Sequence, residues 1–303
     1  MAINQAVLFT KPMGHTECGL EPSDLRDRVI DYLEAYNFYI RTHRNVTSEA
    51  LEAHHIMDQH YRIYSHAVRV NSMDELSLSL DAQALFKNHF KADWHAEIKD
   101  KRIIPVAELL REKEITSTDL GNYWEELNTQ KAVVKVQSGL LMGYVATLDA
   151  YIINGFYPKM VDQFHVQDYT MDYFVIEFDT QVCDWQRFRQ EILGKTNCAQ
   201  AASTSLRAQL HRAFPQQRPG SDNFVHGSAG PLEGFIERIV HEGTPSLATS
   251  PVGVYLMQRG IELAQFTKWL ERQSTVELAA LFDLTEEINT DQLSQFLDHI
   301  DMR

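Results

Sequence analysis

The sequence predicts a globular protein of mixed α and β structure, in which strands and helices alternate. Of its 303 residues, 44% are hydrophobic and 23% are charged, which is an ordinary globular composition. The segment 173–178 is rich in β-branched and aromatic residues, as strands usually are. A second kind of segment places Leu25, Val29 and Leu33 on one helical face. Both kinds recur along the chain.

The charge balance narrows the range of partners. Lys and Arg number 28 against 42 Asp and Glu, so the formal net charge is −14. We therefore expect no binding to nucleic acid or to anionic membranes. Polar residues such as Asn4 and Lys11 interrupt the first fifteen residues. Because of these interruptions, we expect neither a membrane span nor a secretory signal. Cysteine usage favours a reducing, cytoplasmic location; the cysteines are Cys18, Cys183 and Cys198.

The first elements have clear boundaries. A strand is predicted over 6–10. A helix capped by Ser23 follows, and Asn37 can take the left-handed conformation that closes it. A second strand begins at 38–40, and a further helix runs from 47 or 48 to about 61.

The middle of the chain, from about 62 to 154, is harder to interpret. Val68 and Val70 are strand-like, and the segment 131–150 fits either a hairpin or a buried helix. Beyond it, the strands 173–178 and 223–226 alternate with helices. Helical patterns from residue 62 onwards cover 73–90, 106–112, 120–127, 160–164, 185–193, 206–214, 232–240, 254–273 and 291–300.

One segment carries most of the chemical signal: Asn223-Phe-Val-His226-Gly-Ser228, which leads into a helix that contains Glu237. His226 would lie at a strand end, beside the backbone N–H groups of a helix start, which attract anions. An imidazole with an unprotonated nitrogen is also a good phosphoryl acceptor near neutral pH. A histidine before Gly-Ser is by itself more often a loop residue, so both interpretations stay open at this point.

The pattern Asn-x-x-His-Gly-Ser, with a glutamate eleven residues beyond the histidine, resembles the active-site signature of nucleoside diphosphate kinases. Further segments resemble the same family in the family's order, over about 1–61 and 155–242. These are 9–14, the step 37–38, 59–61, 156–161, 193–197 and Arg207, which lies eleven residues past Thr196.

This resemblance implies an α+β fold with a ferredoxin-like βαββαβ core, in which helices back four antiparallel strands. The core would comprise 1–61 and 155–243. The segment 62–154 would be an inserted, mostly helical subdomain. It would act as a lid or reshape the acceptor pocket, or it would be a structural decoration or a dimer interface. A helical C-terminal extension would cover 244–303. We expect a homo-oligomer, and a dimer in place of the hexamer that is usual in the family.

The resemblance also implies a ping-pong phosphoryl transfer from ATP to His226, and then to a nucleoside diphosphate or a related phosphorylated acceptor. Glu237 would orient the imidazole, and Lys11 and Asn223 would join these two as catalytic residues. Mg²⁺ would be bridged by the nucleotide phosphates, without a protein cage. The predicted nucleotide-binding residues are Lys11, Tyr61, Phe156, Thr196, Arg207, Asn223, Arg218 and Ser228.

The residue types fit these roles, because phosphoryl transfer depends on positioning and charge neutralisation. Lys11 and Arg207 in one cleft would supply the positive charge that the chain as a whole lacks. Taken singly, these residues have ordinary explanations: a solvated turn for Lys11, a helix exit for Thr196 and core packing for Phe156.

Some positions depart from the family pattern. The family arginine six residues before the threonine is Gln190 here. On a regular helix, Arg187 and Arg189 are not expected to point in the same direction as residue 190. We therefore expect Arg212 or Arg218 to supply the missing charge.

These departures keep two other functions open. Gln190, and Ala229 where the family has an aspartate, favour a nucleotide-binding regulatory or scaffold protein with negligible turnover. A protein-histidine relay, in which His226 passes its phosphoryl group to another protein, is the third option.

Overall fold

The computed structural model describes residues 2–12, 20–216, 220, 222–298, 300 and 302. The chain forms two compact units. The first contains 1–56, 164–272 and 281–303, and the second contains 57–163 and 273–280. The whole segment predicted as an insertion lies in the second unit, and most of the predicted C-terminal extension lies in the first.

The strands of the described residues are, in chain order, β1 (Ile3–Thr10), β2 (Tyr39–Thr47), β3 (Val134–Gln137), β4 (Leu140–Val145), β5 (Ala150–Ile153), β6 (Thr170–Asp179) and β7 (Val225–Gly227). The α-helices are α1 (Pro22–Ala35), α2 (Ser48–Ala53), α3 (Ile56–His60), α4 (Arg62–Arg69), α5 (Leu80–Phe90), α6 (Trp94–Lys99), α7 (Val106–Glu112), α8 (Ser117–Thr129), α9 (Phe156–Phe164), α10 (Trp185–Arg187), α11 (Leu206–Ala213), α12 (Pro231–Glu242), α13 (Pro251–Gln258), α14 (Leu263–Arg272), α15 (Thr275–Thr285) and α16 (Ser294–Leu297). A π-helix over Phe188–Leu193 continues α10. Among the described helices, none combines the length and the apolar character that crossing a bilayer requires.

The first unit is built on a four-stranded sheet in the order β2-β6-β1-β7, in which each neighbouring pair is antiparallel. α1 connects β1 to β2, and α10 and α11 lie between β6 and β7. This β-α-β-β-α-β succession with its strand order is a ferredoxin-like arrangement. The predicted α+β class and its antiparallel core are therefore confirmed.

The central strands β1 and β6 are buried along almost their whole length, so both faces of the sheet must be covered. On one face, Leu8 and Phe174 belong to an apolar core with residues of the helices that connect the strands. Val29 of α1 and Phe188 of the π-helix belong to the same core. Burial of these side chains provides the main driving force for the fold.

α12 packs on the opposite face of β1, where its His241 contacts the ring of Phe9. Successive side chains of a strand point to opposite faces, which separates Phe9 from Leu8. Gly234 permits the close approach, since a Cβ at this position would lie 3.1 Å from the carbonyl oxygen of Gln5. This packing brings the residues of α12 to the end of the sheet that carries His226.

Local boundaries differ from the prediction in a few places. α1 has Pro22 in its first turn, and Ser23 is inside the helix rather than its cap. Two longer predicted helices are each divided by a residue with positive φ: His55 (48°) separates α2 from α3, and Gly260 (70°) separates α13 from α14. Asn37 has a φ of 60°, as predicted.

The second unit combines helices with a three-stranded antiparallel sheet in the order β3-β4-β5. The segment that fitted either a hairpin or a buried helix is thus a hairpin with a third strand. The strand expected at Val68 and Val70 is wrong, because Val68 is buried in the last turn of α4 and Val70 only follows it. Asn154 fastens the sheet: its Oδ1 accepts from the N–H of Leu141 at 2.9 Å, and its Nδ2 donates to the carbonyl of Gly139 at 2.8 Å.

Candidate functional site

Strand pairing positions His226. β7 pairs with β1 so that His226 lies opposite Phe9, and Tyr173 of β6 lies opposite Phe9 from the other side. The rings of His226 and Phe9 are stacked, with centroids 4.6 Å apart and 18° between their planes. The histidine side chain keeps 14% of its surface exposed. The fold therefore holds the imidazole against a buried aromatic ring and leaves part of it accessible to solvent.

Glu237 of α12 fixes the orientation of this imidazole. Its Oε1 lies 2.7 Å from Nε2 of His226. The other carboxylate oxygen accepts a hydrogen bond from the hydroxyl of Ser228, and Ser228 Oγ accepts one from the N–H of Val7 at 2.8 Å. Ser228, a predicted nucleotide contact, is thus fully buried between β1 and Glu237. The chain of bonds connects the imidazole to the backbone of the central strand.

A second carboxyl group of α12 lies near the histidine. Oε2 of Glu233 accepts a hydrogen bond from the N–H of Ala229 at 2.7 Å. Sequence reasoning did not assign a role to Glu233. The sequence does contain a pattern that indicates its contact, since a glutamate at the third position of a helix commonly reaches back to the N–H groups before the first turn.

The buried groups around His226 resist ionisation. Burial raises the pKa of Glu237 to about 8. Burial, together with the charge of Glu237, raises the pKa of Glu233 to about 7. Burial also lowers the pKa of His226 well below its ordinary value. Near neutral pH the imidazole is therefore uncharged, and the two carboxyl groups titrate as a coupled pair.

Lys11, Asn223 and Thr196 meet beside the histidine strand. The N–H of Lys11 donates to the carbonyl of Phe224 at 2.7 Å. Nζ of Lys11 donates to Oδ1 of Asn223 at 2.9 Å, and Nδ2 of Asn223 donates to the carbonyl of Thr196 at 3.0 Å. Burial, then the charge of Arg207, lowers the pKa of Lys11 to about 7, while Asp222 opposes this effect. Lys11, Asn223 and Thr196 are therefore joined in one cluster, and Arg207, a fourth predicted residue, is close enough to act on the charge of Lys11.

Arg207 of α11 ties two loops of this cluster to each other. Its Nη1 donates to the carbonyl of Gly194 at 2.7 Å, and its Nη2 donates to the carbonyl of Val225 at 2.8 Å. The residue is only 7% exposed. Its guanidinium group thus supports the backbone before Thr196 and the backbone before His226, and it adds positive charge near Lys11.

The turn before His226 is strained. Phe224 has a φ of 66°, which is unusual for a bulky residue, and it is fully buried. The N–H of Val225 donates to the carbonyl of Asn223 at 2.8 Å across this residue. Such strain occurs often at functional sites, where the surrounding structure enforces it. Here it turns Asn223 towards Lys11 and starts the strand of His226.

The expectation about Arg189 is wrong. Arg189 and Gln190 both contact Glu287, with Nη1 of Arg189 3.1 Å from Oε1 and Nε2 of Gln190 3.3 Å from Oε2. Both side chains are long, and from neighbouring positions of the π-helix over Phe188–Leu193 their polar ends reach the same residue. Arginine and glutamine therefore face the same carboxylate.

Four further predicted residues are Arg212, Arg218, Tyr61 and Phe156. Nη2 of Arg212 donates to the carbonyl of Ser203 at 2.9 Å, and Arg218 lies outside the described residues, as do the last two residues of the predicted match 9–14. Tyr61 and Phe156 belong to the second unit, where Phe156 packs against Trp124 with centroids 5.9 Å apart. Their roles in nucleotide binding stay predictions.

Comparison with known proteins gives a distant similarity. No family model and no curated protein matches the sequence. The nucleoside diphosphate kinase of Aquifex aeolicus is similar to the chain at 11% identity and a TM-score of 0.34, over 79% of this chain and 95% of that one. The nucleoside diphosphate kinase of Encephalitozoon cuniculi is 11% identical with a TM-score of 0.37, over 80% of this chain and 90% of that one. An NDP kinase of Pyrobaculum aerophilum is 13% identical with a TM-score of 0.35, over 78% of this chain and 94% of that one. The fold assignment itself rests on the strand order and pairing within this chain.

Proposed function

We propose that the chain is a phosphotransferase that accepts the γ-phosphoryl group of ATP on His226. The phosphoryl group then passes to a nucleoside diphosphate or a related phosphorylated acceptor. The observation that carries the proposal is the bond between Nε2 of His226 and Oε1 of Glu237, at 2.7 Å. A histidine oriented by a carboxylate, uncharged and partly accessible, is a suitable nucleophile.

The nucleophilic atom follows from the position of the proton on the imidazole. When Glu237 is ionised, it accepts the proton of Nε2, and the lone pair of His226 lies on Nδ1. Nδ1 then forms a bond to the γ-phosphorus of ATP as the bond from that phosphorus to the bridging oxygen breaks, and ADP leaves. In the second half-reaction the N–P bond breaks as an oxygen of the acceptor's terminal phosphate bonds to the phosphorus.

The cations of the cluster neutralise the phosphates. Lys11 and Arg207 provide positive charge on the side of the site where Asn223 connects Lys11 to Thr196. Phosphoryl transfer needs such positioning and charge stabilisation more than covalent assistance. Asn223 and Thr196 would align the phosphates against this charge.

Magnesium fits the donor set around Lys11 as an ion that the nucleotide brings with it. Asp222 is the buried carboxylate beside Lys11. One carboxylate suits Mg²⁺ held chiefly by phosphate oxygens and water. When bound, the ion supplies charge neutralisation at the phosphates. A cytoplasmic location and a homodimer belong to the same proposal.

A nucleotide-binding regulator with negligible turnover is the second candidate. The observation that favours it is the engagement of Arg189 and Gln190 by Glu287, since these contacts reduce the positive charge available to a nucleotide. It predicts binding of ATP without transfer to the protein.

The test is phosphoryl labelling of the protein with γ-labelled ATP and Mg²⁺. We expect acid-labile, base-stable label that His226→Ala abolishes. His43 offers a matched control, because its Nε2 lies 2.6 Å from Oδ1 of Asp172 and its ring stacks on Phe174 at 4.5 Å. His43→Ala should keep the label. Discharge by nucleoside diphosphates identifies the acceptor. Binding of ATP without label would instead support the regulator.

A further inference from the structure

Two carboxylates from the C-terminal part of the first unit hold Arg189. Nη1 of Arg189 contacts Oε1 of Glu286 and lies 3.1 Å from Oε1 of Glu287. Gln190 directs its amide at the same carboxylate, with Nε2 3.3 Å from Oε2 of Glu287. A basic and an amide side chain thus face one pair of carboxylates, as they would face an anionic ligand.

The carboxylates are anchored to the loop that follows His226. The N–H of Glu287 donates to the carbonyl of Ala229 at 3.0 Å. Gly230 lies so close to this segment that a Cβ would be 2.3 Å from the carbonyl oxygen of Thr285. Because Ala229 is three residues beyond His226, the acidic segment borders the candidate site. The positive charge of Arg189 also adds to the effect of burial in lowering the pKa of His226.

An anionic ligand can replace Glu286 and Glu287 as the partner of Arg189 without disturbing the apolar core. The side chains of Arg189, Glu286 and Glu287 are 28%, 40% and 28% exposed. Ion pairs at such exposure contribute little to stability. A phosphate group carries more charge and three terminal oxygens, and an arginine fork binds it with two hydrogen bonds. A phosphate group of a ligand can therefore compete for Arg189 more effectively than another carboxylate can.

We propose that Arg189 and Gln190 form a subsite for the terminal phosphates of a polyphosphate ligand, and that Glu286 and Glu287 occupy this subsite as internal anions when no ligand is bound. The inference rests on the proposed function, since it places the ligand beside His226.

The test compares the dissociation constants of inorganic pyrophosphate by titration calorimetry. The double variant E286Q/E287Q should bind pyrophosphate about three- to tenfold more tightly than the unaltered chain, because the internal competitor is weakened. Adding R189Q should remove this gain. The matched control D291N/D298N makes the same change of two charges in the same part of the chain, and it should leave the affinity within about twofold.

An equal gain in D291N/D298N would overturn the proposal, since net charge alone would then explain it. A gain that persists after R189Q would do the same. If E286Q/E287Q does not fold, E287Q alone keeps the test, with a smaller gain expected. Pyrophosphate binding requires no transfer to the protein. Absence of label on His226 would therefore refute the proposed function separately from this result.

Discussion

Nε2 of His226 lies 2.7 Å from Oε1 of Glu237, and this bond couples the tautomer of the imidazole to the ionisation of the carboxyl group. An ionised Glu237 accepts the proton of Nε2 and leaves the imidazole lone pair on Nδ1. A protonated Glu237 donates to Nε2, and the ring proton then moves to Nδ1, which loses its nucleophilic lone pair. Burial raises the pKa of Glu237 to about 8, so both states are populated near neutral pH.

Glu237→Gln should slow phosphorylation of His226 about 10- to 100-fold. The amide can donate to Nε2 and stabilise the unreactive tautomer. The same kind of change in the serine-protease triad lowers kcat about 10⁴-fold, and the loss expected here is smaller because Glu237 is already protonated in part near neutral pH. The measurement is the rate of labelling by γ-labelled ATP in a single turnover.

Glu242→Gln is the control for this variant. Glu242 lies on the same helix and pairs with Arg238 and Tyr173. It should retain the rate of labelling. Equal losses in the two variants would mean that the effect comes from general damage to α12.

Lys11 should impose an alkaline limit on activity. Burial lowers its pKa to about 7, so the ammonium loses its proton as the pH rises through this value, and the attraction for phosphates is lost. For the free enzyme, kcat/KM should therefore fall above about pH 7. Lys11→Arg keeps its charge at every pH used and should move the alkaline limb upward by more than one pH unit. A limb that stays in place in Lys11→Arg would show that another group causes it.

The contact between His226 and Glu237 could be anticipated because the motif that carries the family resemblance is local. Asn223, His226 and Glu237 lie in one segment whose spacing fits a strand end followed by a helix, and the structure bonds His226 to Glu237. Thr196 and Arg207 are also only eleven residues apart, so their spacing too can be seen in a short stretch of sequence. The short-range pattern left the role of His226 open, and the resemblance to a known family supplied the assignment; strand pairing of β7 with β1 then brings Lys11 to the same place.

The acidic neighbours of the site were not predictable, because they depend on contacts between distant segments. Nothing near Arg189 in the sequence indicates that Glu286 and Glu287, about a hundred residues later, will face it. The π-helix that carries Arg189 and Gln190 also has no local signature, since its sequence fits a regular helix. Both the contacts of Arg189 and the π-helix therefore depend on tertiary packing.

Arg207 should stabilise the folded chain through its hydrogen bonds, in addition to providing positive charge at the site. Arg207→Met leaves the buried carbonyls of Gly194 and Val225 without their donor, which should cost about 2–4 kcal/mol in the free energy of unfolding. Arg212→Met loses one exposed contact to the carbonyl of Ser203 and should change stability by less than about 0.5 kcal/mol. Urea unfolding measures both. Equal effects would contradict the supporting role of Arg207.

Glu233 should make the protein less stable as the pH rises. Its pKa is raised from 4.5 to about 7 in the folded chain. The folded state therefore keeps a proton that the unfolded state loses, and this contribution to stability falls between these two values. Glu233→Gln keeps an acceptor for the N–H of Ala229 and removes the ionisation. The variant should match the unaltered chain near pH 4.5 and exceed it by about 1–2 kcal/mol at pH 8, less than the full shift would give because solvent reaches the carboxyl group.

Urea unfolding at several pH values between 5 and 8 measures this difference. Glu262→Gln is the control, since Glu262 is exposed and its substitution makes the same change in charge. This surface substitution should change the free energy of unfolding by less than about 0.5 kcal/mol. If the difference for Glu233→Gln were constant with pH, or declined as the pH rose, the carboxyl group of Glu233 would have to be ionised in the folded chain at pH 5. His226 would then face a full negative charge on Glu233, which would raise the pKa of the imidazole and disfavour the neutral form that the phosphotransferase requires.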